Sequence, residues 1–357
     1  MRRLFAACVL LAATSFAAIA VAAEPQQAHP TLQQYHARTG HPDAWQGGVR
    51  MIPIHTPHGD FRVWTKRVGN NPRIKLLLLH GGPGGTHEAF EAFDSFLPAD
   101  GVEYYYYDQL GSYYSDQPDD PRLLSIDRYV DEVEQVRQAL GLDRDNFYLL
   151  GHSWGGILAI EYALKHQDHL KGLVIANMMS SIPAYNKYAS EVLMPELEPA
   201  ALAELKRLDA AKDYSNPRFE ELLVPHYERH VLRRPLAEWP EPVIRGFVKH
   251  LNRKVYVPMQ GPSELGLTGI LEGWDRTEDL KDIIVPTLVI GARYDTMDPK
   301  WMEMMSKRLP KGDYLYLSNG SHMDYYDDQD AFFAGLLKFL HRVDDAASTE
   351  RKPAPVR

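Results

Sequence analysis

Cysteine is almost absent from this chain, since Cys8 is the only one among 357 residues. Cys8 lies in an N-terminal segment that we predict to be removed, so the mature chain would contain no thiol. Disulfides, a cysteine nucleophile and thiolate metal sites are thereby excluded from it. The mature protein must therefore be held together by its hydrophobic core alone.

Excess positive charge and long apolar runs are also missing. The formal net charge is -9 and the pI is about 5.9, so the chain has no overall attraction to nucleic acid or to anionic lipid. Beyond the N-terminal segment, no stretch is apolar and long enough to span a bilayer, and we expect no membrane anchor. With 45% apolar and 24% charged residues, the composition is that of a globular protein.

The first 23 residues have the pattern of a secretory signal peptide. Arg2 and Arg3 precede an apolar run that ends in the small residues Val21, Ala22 and Ala23. We predict cleavage after Ala23 and export to a periplasm or to the medium. A buried or membrane-anchoring N-terminal helix is the alternative.

Strand-like and helix-like segments alternate along most of the chain. The hairpin pattern VRMIPIHT-HGD-FRVWTKRV is followed by the buried-strand pattern RIKLLLL, and alternation continues to about residue 178. The next hundred residues have helical patterning and no clear strand, and alternation resumes with IIVPTLVIGARYD. This order predicts an α/β fold with a mostly parallel, doubly wound sheet and a helical insertion.

These patterns divide the chain into five parts. We assign them as a signal peptide (1–23), a first part of the α/β core (24–180), a helical cap (181–278), a second part of the core (279–343) and a disordered tail (344–357).

A candidate nucleophile lies in the motif Gly-His-Ser-Trp-Gly, between a predicted strand and a predicted helix. That context is the one that the Gly-x-Ser-x-Gly elbow requires. Gly151 and Gly155 allow a sharp turn, which holds Ser153 at the N-terminus of the helix, clear of the sheet. We predict that Ser153 is a nucleophile; a structural turn serine is the alternative.

A serine hydroxyl needs a general base, and behind such an elbow the chain order is serine, acid, histidine. Of the histidines after Ser153, only His322 lies in a loop directly after a late strand, so we predict that it is the base. The strand before it ends at Asp295, which we predict to orient the imidazole. Asp298, three residues further on, is the competing acid.

Backbone donors for an oxyanion are expected in the segment HGGPGG, which follows a buried strand. We predict that the N–H groups of Gly82 and of Trp154, the residue after the nucleophile, form the oxyanion hole. The alternative, a phosphate-binding loop, is disfavoured because the segment lacks the lysine and the spacing of that motif.

Taken in order, the segments HGGPGG, YYDQLGS, GHSWGG, GARYD and GSHMD resemble those of the proline iminopeptidase family of α/β-hydrolases. The insertion resembles this family too, in NRKVYVPMQGPSELGLTGILEGWDRT, and the likeness covers roughly residues 48–343. It implies an α/β-hydrolase fold with a helical cap over the site. It also implies release of an N-terminal residue, often proline, from short peptides, and we expect no cofactor.

The resemblance further implies how the substrate is held. Glu264, in GPSEL, matches a glutamate that binds the protonated α-amine, and Trp154 is a candidate wall for a proline ring. A surface or capping role is the alternative for Glu264. The family commonly has a second acid directly after the catalytic aspartate, where this chain has Thr296, and Glu221 is a candidate to replace it.

The segment DQLGSYYSDQP departs from the family pattern as well. Tyr113 and Tyr114 stand where members usually have a glycine and an arginine, and we expect these rings to narrow or reshape the pocket. We expect Asp108 and Gln109 to brace the loop near the oxyanion site.

The predicted function is an exported serine aminopeptidase that acts on short peptides or amino-acid derivatives with a free N-terminus. Because Thr296 removes one charge from the amine site, the nearest alternative is a serine esterase or amidase acting on amino-acid amides, esters or other small acyl groups. A third hypothesis is a binding protein that has no catalytic activity. A dehalogenase or epoxide hydrolase would have aspartate in place of Ser153. No metal site is predicted, since HYERH lacks the His-Glu order of the zinc protease motif.

Overall fold

An eight-stranded sheet forms the centre of the protein, in a computed structural model that describes residues 30–43 and 47–350. Its strands are β1 (Val49–Thr56), β2 (Gly59–Val68), β3 (Lys75–Leu79), β4 (Glu103–Asp108), β5 (Phe147–His152), β6 (Gly172–Ala176), β7 (Thr287–Ala292) and β8 (Gly312–Leu317). The spatial order is β1-β2-β4-β3-β5-β6-β7-β8. The pairs β1–β2 and β2–β4 are antiparallel and all other pairs are parallel.

Helices cover both faces of the sheet and build a separate layer above it. They are α1 (Leu32–Tyr35), α2 (Ile126–Leu140), α3 (Trp154–His166), α4 (Ile182–Tyr188), α5 (Pro199–Ala210), α6 (Pro217–His226), α7 (Glu241–Val243), α8 (Arg253–Met259), α9 (Pro299–Arg308), α10 (Asp324–Asp327) and α11 (Gln329–Glu350). The predicted α/β architecture, with a helical insertion between two halves of a mostly parallel sheet, is confirmed. No helix within the described ranges has the length and apolarity needed to cross a membrane.

The central strands are buried on both faces, as their continuous apolar runs require. The four leucines of β3 and the tyrosine run of β4 are solvent-inaccessible or nearly so. The tyrosine hydroxyls find carboxylate partners at the edge of the core, for example Tyr106 with Asp94 at 2.7 Å. These rings therefore pack in the core, where they supply apolar area without leaving a buried hydroxyl unpaired.

The cap begins and ends where two crossing segments of chain pair with each other. Ser181 and Asp275 form an isolated antiparallel bridge, and the Ser181 hydroxyl donates to the Asp275 carboxylate at 2.7 Å. The segment between them contains α4 to α8 and short π-helical turns, with no strand among its residues, all of which the structure describes. Both ends of the cap are thus tied to one point above the sheet.

The C-terminal region differs from the prediction of a disordered tail from residue 344. Helix α11 continues to Glu350, and Asp344 is fully buried. Its carboxylate accepts a hydrogen bond from Lys171 at 2.5 Å and lies 3.0 Å from Arg73. A buried charge pairs in this way because an unpaired one is costly, and the polar sequence alone did not reveal these partners. The predicted signal peptide and residues 351–357 lie outside the described residues.

Candidate active site

Ser153 lies on a tight elbow between β5 and α3. Its backbone has φ 56° and ψ -126°, a conformation that residues other than glycine rarely adopt. Close approach of the main chain makes the elbow possible: a Cβ on Gly151 would lie 2.0 Å from the Gly155 carbonyl oxygen, and one on Gly155 would lie 2.1 Å from that of Leu79. The glycines of the motif are therefore required by packing.

The glycine loop after β3 packs directly against this serine. A Cβ on Gly81 would lie 2.6 Å from the Cβ of Ser153 and 3.2 Å from its Oγ. Gly82 has φ 45° and lines the same cavity as Ser153. The backbone of this loop thus reaches the position where an acyl oxygen attached to Ser153 would lie, which is the position that oxyanion donors must occupy.

His322 and Asp295 form a buried pair, and His322 lines the same cavity as Ser153. The Nδ1 atom of His322 lies 2.7 Å from the Oδ1 atom of Asp295, which also accepts the backbone N–H of Met297 at 3.2 Å. The competing acid, Asp298, instead caps α9 and accepts the backbone N–H of Lys300 at 2.9 Å. The geometry therefore favours Asp295 as the partner of the histidine.

The charged groups around His322 raise its pKa and make it a stronger base. Burial alone would lower the pKa of His322, but the Asp295 carboxylate, by its charge and by its hydrogen bond, outweighs burial and raises that pKa above 6.5. The more distant Glu264 charge acts in the same direction. An imidazole stabilised in its charged form is what proton transfer from a serine hydroxyl requires.

Glu264 is a buried carboxyl group on the cap that faces the same cavity. It is 4% exposed, and Tyr256 donates a hydrogen bond to it at 2.5 Å. Burial raises the pKa of Glu264 above 4.5, while the charge of His322 and the Tyr256 hydrogen bond oppose this shift. The cavity is lined by His80, Gly81, Gly82, Gly85, Thr86, Ala89, Phe90, His152, Ser153, Gly246, Phe247, Leu251, Tyr256, Glu264, His322, Met323 and Tyr325.

Comparison with known proteins supplies the family. A model described as the alpha/beta hydrolase fold matches residues 75–329. The chain is 56% identical over 296 residues to a proline iminopeptidase of Flavobacterium johnsoniae, covering 83% of this chain and 99% of the relative. It is 58% identical over 297 residues to one of Elizabethkingia meningoseptica, covering 82% and 98%. This protein belongs to the proline iminopeptidase family of α/β hydrolases.

A solved structure in this family has the same fold. The proline iminopeptidase of Mycobacterium smegmatis superposes with a TM-score of 0.73 at 29% sequence identity, covering 84% of this chain and 99% of that one. The predictions of the fold and of the family are therefore confirmed.

The structure explains what the departures from the family pattern do. Thr296 is fully buried and does not line the cavity; its hydroxyl lies 3.1 Å from His322 Nδ1 and 3.3 Å from Asp295 Oδ1. Glu221 cannot replace a second acid, because it is exposed on α6 and pairs with Arg218. Among the residues that line the cavity, Glu264 is the one carboxyl group.

The expected role of Trp154 as a wall for the substrate does not fit its position. The indole is 2% exposed, donates to the Gln109 side chain at 2.8 Å and packs edge-on against Tyr129. Trp154 is not among the residues that line the cavity, because helix α3 directs the residue after Ser153 into the core. Its backbone N–H stays at the helix N-terminus as an oxyanion candidate.

Tyr113 and Tyr114 do not narrow the cavity as expected. Tyr113 stacks on the cap residue His250 with ring centroids 3.8 Å apart, and the Tyr114 hydroxyl donates to Glu88 at 2.9 Å. They connect the core to the cap outside the pocket. Asp108 braces this region as predicted, since it accepts the backbone N–H groups of His87 at 2.7 Å and of Tyr114 at 3.4 Å.

Sequence reasoning missed two features of the site. His152, next to the nucleophile, has a ring nitrogen 2.7 Å from the His322 carbonyl oxygen, and burial lowers its pKa to about 3. The cap also holds the His322 loop, because the carbonyl groups of His230 and Val231 accept the backbone N–H groups of His322 and Met323 at 2.9 Å. His152 is visible in the Gly-His-Ser-Trp-Gly motif and could have been considered. The backbone hydrogen bonds between the cap and the His322 loop join residues about 90 positions apart, and no sequence pattern predicts them.

One cluster of side chains outside this site has metal-ligating chemistry. Glu134, His166 and His169 bring their ligand atoms within 4.8 Å of one another. The Glu134 carboxylate already accepts hydrogen bonds from Arg137 Nε at 2.8 Å, from Arg137 Nη2 at 2.7 Å and from the Tyr162 hydroxyl at 2.8 Å. An adjacent guanidinium disfavours a cation, so this cluster is better explained as a structural ion pair.

The elbow can be tested by adding one methyl group. Gly155→Ala should abolish labelling of Ser153 by a fluorophosphonate probe and lower the unfolding midpoint, because its Cβ would clash with the Leu79 carbonyl. Gly273→Ala is the matched control, since a Cβ there meets nothing within 4 Å. Normal labelling of a folded Gly155→Ala variant would contradict the packing constraint.

The base can be tested by its titration. A neutral fluorophosphonate probe should label Ser153 at a rate that rises with pH and falls about tenfold per pH unit below the midpoint, because only neutral His322 accepts the proton. The raised pKa of His322 places that midpoint above 6.5. Ser153→Ala provides the blank, and a midpoint below 6.5 would show that Asp295 does not stabilise the imidazolium.

Proposed function

We propose that this protein is a serine aminopeptidase that releases an N-terminal residue, preferably proline, from short peptides. The observation that carries the proposal is the position of Glu264, a buried carboxyl group in the cavity that also contains Ser153 and His322. A protonated N-terminal amine is the substrate group that such a carboxylate binds by a charge-assisted hydrogen bond. The relatives named proline iminopeptidase support the same activity.

The reaction follows from the arrangement of the side chains. Ser153 Oγ attacks the carbonyl carbon of the N-terminal residue while His322 accepts its proton, and Asp295 stabilises the imidazolium. The N–H groups of Gly82 and Trp154 hold the oxyanion. The C–N bond then breaks as His322 protonates the leaving amine. Water, activated by the same histidine, hydrolyses the acyl-enzyme and frees the amino acid.

The size and walls of the cavity favour a single small residue ahead of the scissile bond. The cavity is small, with a solvent-accessible volume of about 40 Å³. Glu264 and Tyr256 line this cavity together with Ser153. The walls are apolar and suit a pyrrolidine ring; they include Phe90, Phe247, Leu251 and Tyr325.

A panel of chromogenic substrates tests this proposal. Proline 4-nitroanilide should be hydrolysed faster than alanine 4-nitroanilide, and N-acetyl-proline 4-nitroanilide should be inert because its amine is neutral. Glu264→Gln should reduce kcat/KM for the free-amine substrates on the order of 100-fold or more, the usual cost of removing one partner of a buried charge pair. Ser153→Ala should abolish all turnover.

Glu272→Gln is the matched control, because Glu272 is an exposed glutamate of the same cap and should leave kcat/KM unchanged. Equal turnover of the N-acetylated substrate, or hydrolysis of 4-nitrophenyl acetate alone, would replace the aminopeptidase by a serine esterase or amidase. The single carboxyl group in the cavity is the observation that keeps this alternative in view.

We also propose that the protein is exported, on the evidence of the signal-peptide pattern in residues 1–23. N-terminal sequencing of the protein recovered from its native cells should begin at Glu24, and activity should be found outside the cytoplasm. A protein that retains Met1 and stays with the cytoplasmic fraction would overturn this proposal.

A further inference from the structure

A second buried acid lies behind the catalytic pair. The amide nitrogen of Asn177 is 2.9 Å from Asp295 Oδ2 and 2.9 Å from Asp324 Oδ2, and it is 3.3 Å from the Ser321 carbonyl oxygen. Asn177 and Asp324 have no solvent exposure, and Asp295 is 1% exposed. The single amide nitrogen of Asn177 therefore donates to two carboxyl groups in a site that solvent does not reach.

The two acids differ in how well an anion would be stabilised. Asp295 also receives hydrogen bonds from His322 and from the Met297 backbone N–H. Asp324 has the Asn177 amide, and its other oxygen, Oδ1, is buried without a hydrogen-bond partner. Two like charges that share one donor in a low-dielectric site cannot both be stable, so Asp295, which receives more hydrogen bonds, keeps the charge.

The backbone fixes this arrangement. Asn177 follows β6 with φ 54°, a left-handed conformation that asparagine tolerates better than most residues, and its N–H donates to the Ile290 carbonyl at 3.0 Å. Asp324 is held by close packing as well, because a Cβ on Gly320 would lie 2.6 Å from the Asp324 Cβ. Neither side chain can move away from the other without disturbing a strand end or the His322 loop.

We propose that Asp324 is a neutral carboxylic acid in the active enzyme and that, with Asn177, it is a positioning residue for Asp295. The amide anchors Asp295 Oδ2, which leaves Oδ1 directed at His322. The proton of Asp324 lies on Oδ1, since Oδ2 accepts from Asn177. An ionised Asp324 would add a second negative charge behind the pair, and His322 would then hold its proton too tightly to act as the base at neutral pH.

The electrostatics agree with this geometry. Burial raises the pKa of Asp324 well above 3.8 and the charges of Asp295 and Asp327 act in the same sense, while hydrogen bonds from the Asn177 amide and the Tyr325 backbone oppose this rise. Tyr325 on α10 is a further titratable neighbour: burial raises the pKa of its hydroxyl, and the charges of Tyr326 and Asp324 act in the same sense. Asp327 is itself engaged by the Ser321 hydroxyl and the Arg233 backbone N–H.

Asp324→Asn tests the charge state, because it mimics the neutral acid. The pH midpoint of Ser153 labelling by a neutral fluorophosphonate should stay within a few tenths of a unit of the wild type, and the limiting rate within a few-fold. If Asp324 were ionised, removing its charge would lower the pKa of His322, and the midpoint would fall by about one pH unit or more. That fall would overturn the proposal. The exposed Asp330→Asn is the matched control.

Thermal unfolding gives a second, independent measurement of the charge state. A carboxyl group whose pKa is higher in the native than in the unfolded state loses native stability as pH rises above the unfolded value. Asp324→Asn cannot titrate, so its unfolding midpoint should exceed that of the wild type at pH 8, and the difference should shrink toward pH 4. A variant that is less stable than the wild type at pH 8 and equal to it at pH 4 would overturn the neutral acid.

Asn177→Gly tests the positioning role, because glycine accepts the left-handed backbone but removes the amide. Asp295 then loses a donor, so labelling of Ser153 should slow at least tenfold and its pH midpoint should rise. A merely structural role for Asn177 would lower the unfolding temperature and leave that midpoint unchanged. Labelling at the wild-type rate and midpoint would show that Asn177 does not position Asp295.

Discussion

The close approach of helix α3 to strand β3 is the constraint on which the active site depends. Only hydrogen fits at Gly155, because its Cα faces the Leu79 carbonyl across the elbow, and only hydrogen fits at Gly81, because it faces Ser153. The strained backbone at Ser153 is tolerated because the strand before it and the first two turns of the helix after it, Trp154–Ile160, are buried and held by their neighbours. This one packing arrangement thus fixes the positions of the nucleophile, the glycine loop and the helix N-terminus relative to one another.

The cap is part of this catalytic arrangement and not a lid laid over a finished site. Carbonyl groups of its Tyr227–Val231 turn hold the backbone of the His322 loop. At the opposite side, Glu88 of the core is bound by the cap residues Arg245 at 2.6 Å and His250 at 2.7 Å, and the Tyr114 hydroxyl donates to it. Hydrogen bonds and buried charges therefore couple the position of the cap to the geometry of the base.

The sequence predicted those parts of the protein that depend on local pattern. The buried strand KLLLL, the elbow around Ser153 and the order of serine, aspartate and histidine follow from burial, sterics and chemistry that a short segment carries by itself. The prediction that Trp154 contacts the substrate was wrong, because the helix, and not the motif, decides which side chains enter the core. Tyr113 and Tyr114 were assigned to the pocket because nothing local shows that His250, more than 130 residues later, stacks against them.

Long-range pairing also explains why buried carboxyl groups were the hardest features to predict. From the sequence, Asp344 was assigned to a polar tail. The structure shows that its carboxylate pairs with Lys171 and Arg73. In the sequence, Asp324 is a neighbour of His322 with no evident role. The structure shows that the Asn177 amide donates to both Asp324 and Asp295. In each case a polar residue became interior because a partner from a distant strand end or loop lowered the cost of burying it, and a linear sequence does not record such partners.

The same cost of burial supports the proposal that one carboxyl group selects for a protonated amine. Burial makes Glu264 reluctant to ionise in the empty cavity, and His322, 58 residues away in sequence, is near enough for each charge to favour the other. A bound ammonium group would stabilise the Glu264 anion directly, and that anion in turn favours the imidazolium formed as Ser153 attacks. A neutral N-acetyl group supplies no such charge. In the proposed function, amine recognition and catalysis are thereby linked through a single buried carboxylate.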